Sequence, residues 1–86
     1  MKHARQSALD TLDGLLVQLR DLGVMREKTR GVFYLRSKAF LHFHEDPTGL
    51  YADLRVGAEF ERFPVDSPDQ QRTLLQSVSA RLGVDT

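Results

Sequence analysis

The sequence contains no cysteine, which excludes a disulfide scaffold and any chemistry that needs a thiolate. Neither sign of charge is in excess, since 12 Lys and Arg stand against 12 Asp and Glu. A dedicated nucleic-acid binder usually has a basic surplus, so nucleic acid is not expected as a partner. No apolar run approaches the roughly 20 residues needed to cross a bilayer, and no membrane partner is expected. Lys2, His3, Ala4 and Arg5 do not lead into an apolar signal-peptide core, so the expectation is a cytoplasmic location. Gly31, Gly49 and Gly57 are isolated and cannot assemble a phosphate loop. No repeat, low-complexity tract or linker divides the chain.

What is present reads as one domain of 86 residues, within the usual span of about 50–250. Its apolar share of 41% and charged share of 28% suit a globular chain rather than a disordered one. So short a chain buries only a modest core, and a partner subunit would help it.

Two amphipathic helices bracket the chain. Leu9, Leu12, Leu16 and Leu19 recur at spacings of three and four, which predicts a first helix from about Gln6 to Leu22 with one buried face. Gly14 weakens that helix, and its presence is read as a close approach to a neighbour. The second helix begins at Ser67 as N-cap, with Pro68 in the first position and Gln70 three after the cap, a capping box. Leu74, Leu75, Val78 and Leu82 form its stripe, and Gly83 ends it.

Between the helices lie four predicted strands: Gly31 to Leu35, Ala39 to His44, Leu50 to Val56, and Glu59 to Val65. They are rich in β-branched and aromatic residues and broken by polar or Gly/Pro turns. Val24 to Arg30 is read as a solvated basic connection, with an anion contact as its functional alternative. The expected fold is α+β: a two-layer sandwich in the order α-β-β-β-β-α, with an antiparallel four-strand meander and both helices on one face.

Face consistency fixes the registers, because a slip of one residue turns every side chain over. Glu45 should pair with Leu50, Phe43 with Ala52 and Leu41 with Leu54. A three-residue loop from Arg36 to Lys38 should pair Leu35 with Ala39 and set Tyr34 beside Phe40. One face then holds the core. The other carries Tyr34, Phe40, His42, His44, Tyr51, Asp53 and Arg55, an aromatic-rich face with no layer of its own chain to cover it. Exposed patches of this kind mark interaction surfaces.

His42 and His44 point to one side of their strand, so they are the candidate metal ligands. His3 lies near a terminus, which leaves two firm ligands where zinc wants three or four. The sequence therefore assigns no metal and no cofactor. A pair of His42 with Asp53 would form half of a hydrolytic triad, but no nucleophile accompanies it, and no catalytic activity is expected. The leading expectation is a protein-interaction or homodimer module working through the open face. The alternative is a metal- or small-ligand-binding protein centred on His42 and His44.

The helix–four-strand–helix layout resembles the frataxin-like sandwich, including the small bacterial MmcQ/YjbR-type proteins. That resemblance covers the whole chain as topology and implies the two-layer fold. Frataxins carry an acidic ridge for iron along the first helix. Here Asp10, Asp13 and Asp21 are sparse and mixed with Arg20, so iron delivery is not implied.

Overall fold

A computed structural model describes residues 2–84. The protein is an α+β sandwich: an antiparallel sheet backed by helices on one face. The elements are β1 (Lys2–His3), α1 (Gln6–Thr11), α2 (Asp13–Asp21), β2 (Arg26–Thr29), β3 (Val32–Leu35), β4 (Lys38–Asp46), β5 (Gly49–Val56), β6 (Glu59–Pro64) and α3 (Pro68–Leu82). Strands β2 to β6 form the meander, and β1 pairs with the far end of β4. None of the described helices is long and apolar enough to cross a membrane.

The core lies between sheet and helices. Leu12, Leu15, Leu16 and Leu19 from the first helical stretch, with Leu74 and Val78 from α3, bury against Phe33, Leu41, Phe43, Ala52 and Leu54. The β4–β5 register is the expected one, with Leu41 opposite Leu54, Phe43 opposite Ala52, and Glu45 opposite Leu50. Ser67 and Gln70 form the reciprocal capping box at the start of α3, and Gly83 closes it in the left-handed conformation.

Besides the unexpected strand β1, which with β2 makes six strands where four were expected, four features depart from the sequence reading. The first helix is interrupted at Leu12, whose N–H is shared between the Ala8 and Leu9 carbonyls, both at 3.1 Å. Such sharing marks a tightened turn. A Cβ on Gly14 would meet nothing within 4 Å, so that glycine marks no close approach. The basic connection contains strand β2, which pairs with β3 through its backbone although its side chains show no apolar pattern. Two of its three cations are also engaged: Arg30 meets Asp10 at 2.7 Å and Asp13 at 3.3 Å, and Lys28 lies 4.5 Å over the Tyr34 ring.

The fourth departure moves a residue between faces. The β3–β4 turn has two residues, Arg36 and Ser37, so Leu35 pairs with Lys38 and Tyr34 with Ala39, while Phe33 still pairs with Leu41. The residue saved in the turn reappears as a β-bulge at Phe40, a position with no partner of its own. The bulge turns Phe40 into the core, where it is 5% exposed. Phe40 is therefore not part of the open face. Arg36 adopts φ 61°, a left-handed conformation that disfavours a residue with a Cβ by roughly 1–2 kcal/mol.

Two stability measurements check this packing. Leu54→Ala should lose about 2–5 kcal/mol in denaturant unfolding, as buried leucine truncations do, whereas the same change at the sheet margin, Val56→Ala, should lose far less. Gly14→Ala should stabilise by up to about 1 kcal/mol, because the site is helical and open; a loss there would show a neighbour that the packing lacks.

Candidate metal centre on the open face

Four strands build the site. On β4, His42 and His44 alternate to the face away from the helices, and β1 lays His3 directly opposite His44. Strand β5 sets Asp53 opposite His42, and β6 sets Arg62 opposite Asp53. Each of the three imidazoles offers a nitrogen, and these nitrogens lie within 4.8 Å of one another. The His3 and His44 rings are stacked with centroids 4.9 Å apart, while His42 meets His44 edge-on at 4.8 Å. The edge of Phe60 closes on His42 at 4.8 Å.

Burial grades across the cluster. His3 is exposed, His42 is half-buried, and the His44 side chain retains 12% of its exposure. Desolvation pulls the His42 pKa down first, and the neighbouring His44 ring adds to it. Burial likewise lowers His44, with Asp53 opposing. Both rings are therefore neutral at neutral pH, the state in which imidazole binds metal.

Asp53 is 7% exposed, and a buried carboxylate needs partners. Arg62 supplies a bidentate pair, donating from Nε to Oδ1 at 2.9 Å and from Nη2 to Oδ2 at 3.0 Å. Burial alone would raise the Asp53 pKa, but the Arg62 hydrogen bonds and charge, helped by the two histidines, outweigh it and hold the group below its ordinary value. The sequence expectation of a His42–Asp53 hydrogen bond is replaced by a diagonal contact. It is His44 Nε2 that lies 3.1 Å from Asp53 Oδ2, and it also lies 2.8 Å from His42 Nδ1.

That contact assigns a tautomer. A carboxylate beside Nε2 favours the proton there, so His44 Nε2–H is shared between Asp53 Oδ2 and His42 Nδ1. The other nitrogen of His44, Nδ1, is then a bare lone pair, and it is buried without a hydrogen-bond partner among the described residues. An orphaned acceptor of this kind costs about 1–3 kcal/mol.

The remaining face residues divide. Tyr51 flanks the histidines with its hydroxyl 2.8 Å from Thr48 Oγ1. Arg55 donates from Nε to the Ala39 carbonyl at 2.7 Å and lies over the Phe60 ring. Tyr34 lies beneath Lys28, and Phe40 has left the face for the core. Two participants, Phe60 and Arg62, went unread in the sequence, and His3 was set aside for its place near the terminus. Extending the register through the two-residue Gly57–Ala58 turn would have placed Arg62 opposite Asp53.

In the presence of EDTA, the neutral burial of His42 and His44 predicts a stability that depends on pH. Their folded pKa values lie below the unfolded value of about 6.5, so their contribution is complete above that pH. It is lost as pH falls from there through the depressed folded values. Thermal melts between pH 7.5 and 5 should show this fall, and the double substitution His42→Gln/His44→Gln should flatten it. An equally steep fall in the variant would assign the titration elsewhere. No family model matches this chain, no curated protein matches it, and no solved structure matches it.

Proposed function

We propose that the protein binds a divalent transition-metal ion of the zinc type through His3, His42 and His44 on its open sheet face. The observation that carries this reading is the convergence of three imidazole nitrogens within 4.8 Å, drawn from two strands far apart in sequence. Imidazole suits zinc, copper and nickel, whereas carboxylate-rich sites favour harder ions.

Bonds of about 2.0–2.1 Å at the tetrahedral angle place two nitrogens of one zinc shell about 3.4 Å apart. A pair at the 4.8 Å limit must therefore close by roughly 1.4 Å on binding, and exposed His3 on its two-residue strand can supply that movement. Asp53 serves better as a support than as a ligand, because both of its oxygens already accept from Arg62 and one lies against His44. A carboxylate behind a ligating histidine orients the ring and raises its basicity. Three protein ligands leave a position open to water or to a side chain of another molecule. The interaction reading survives in that form: Phe60, 39% exposed beside His42, gives a partner an apolar foothold next to the ion. A cytoplasmic setting belongs to this same proposal.

Thermal melts with added zinc test it. At an ion concentration 100 times Kd, binding adds about 2.7 kcal/mol, which raises the Tm of a domain this size by on the order of 10 °C. His3→Ala, which lies on the surface, should remove most of the shift, as should His44→Ala. A zinc shift that survives His3→Ala would reduce the site to His42 and His44, and no shift in the parent protein would end the proposal.

A further inference from the structure

The end of the sandwich away from the β4–β5 turn holds a cleft of about 570 Å³. Leu35, Phe40 and Leu82 give it an apolar floor, with Val24 at its mouth. Arg36, Lys38, Arg55 and Arg81 surround that floor, and among the described residues no carboxylate lines it. A chain with 12 cations and 12 anions thus gathers four of the former, and none of the described carboxylates, around one apolar depression. No histidine lines it either, so it is separate from the metal centre.

Two independent features direct this rim. Arg36 stands first in a two-residue turn at φ 61°, where glycine or asparagine would be at ease. Backbone strain of this kind gathers at functional sites, and here it sets a guanidinium at the cleft. Arg55 is held in place: its Nε donates to the carbonyl of Ala39, next to the bulge, and its guanidinium lies 4.6 Å over Phe60. Its terminal nitrogens make no hydrogen bond among the described residues. The bulge that buries Phe40 also gives the cleft its aromatic floor.

We propose that this cleft binds a small amphiphile, a single carboxylate or phosphate group carried on an apolar body. Its volume lies within the range of about 300–1,000 Å³ typical of small-molecule sites. Guanidinium groups match both anions with paired, charge-assisted hydrogen bonds, and the floor removes the apolar body from water.

Titrations followed by amide NMR shifts, with each probe kept below its micelle concentration, test the assignment. Decanoate and decyl phosphate should shift the amides of Ser37, Gly57 and Leu82 saturably, and their relative affinities separate the two head groups. Decanol and inorganic phosphate should each bind at least about tenfold more weakly, since each lacks one half of the recognition. Arg36→Gly should raise the Tm by releasing the strained turn and lower decanoate affinity roughly tenfold by removing a charged donor. Arg81→Gln leaves that turn untouched and should weaken decanoate similarly, which keeps the test decisive if Arg36→Gly perturbs the hairpin. Equal binding of decanol would reduce the cleft to an apolar crevice and overturn the proposal. Equal binding of inorganic phosphate would overturn it as well, and so would undiminished decanoate affinity in both variants.

Discussion

The hydrogen-bonding needs of β4 govern the molecule. This strand runs nine residues, Lys38–Asp46, whereas β3 beside it runs four. Along one side β5 satisfies it from Leu41 to Asp46. Along the other, β3 reaches only as far as His42, and the backbone at His44 and Glu45 still needs partners. Lys2 and His3 supply them, and the Ala4 N–H adds a bond to the Phe43 carbonyl at 3.0 Å. Glu45 accepts from the Arg5 N–H just before α1. The placement of the third histidine thus follows from a backbone requirement, and the same bonds set where the first helix starts over the core.

The open face is ordered by one buried charge. Asp53 sits in the middle of the sheet, where an unpaired carboxylate would be strongly unfavourable. Arg62 answers it from β6, and the remaining edge of the carboxylate meets His44. A chain of polar contacts therefore runs from β6 through β5 to β4 and ends at the histidines. Burial keeps the rings uncharged while Asp53 stays ionised between them and Arg62, so neighbouring groups hold different protonation states in a few ångströms.

Much of this was legible in the residues. The leucine stripes, the capping box at Ser67 and the alternation along β5 each follow from a local rule, and each reads correctly. The β4–β5 register follows because only one pairing puts Leu41, Phe43, Ala52 and Leu54 on one side. The misplaced residue, Phe40, turns on a turn length. Nothing in Arg36, Ser37 and Lys38 announces that the loop closes with two residues, since the position at φ 61° carries an arginine where glycine would have signalled it. Strand β2 was hidden for a related reason. Its pairing is made by backbone groups, and its side chains face water. His3 was discounted for its position, although the surplus length of β4 over β3 called for a strand there.

The zero net charge of the chain conceals an uneven placement of charge at the two ends of α3. Asp46 and Asp66 meet around the β4–β5 turn, where Asp66 accepts from the Leu50 N–H, and Asp69 stands in the first turn of α3. At the opposite end stand Arg36, Lys38, Arg55 and, in the last turn of α3, Arg81. Both ends complement the dipole of that helix. Arg72 beside Asp69 and Arg5 beside Glu45 offset the acidic end, and Glu59 stands next to the Gly57 turn at the other. Encounters of charged molecules with the cleft end depend on ionic strength although the net charge of the chain is zero.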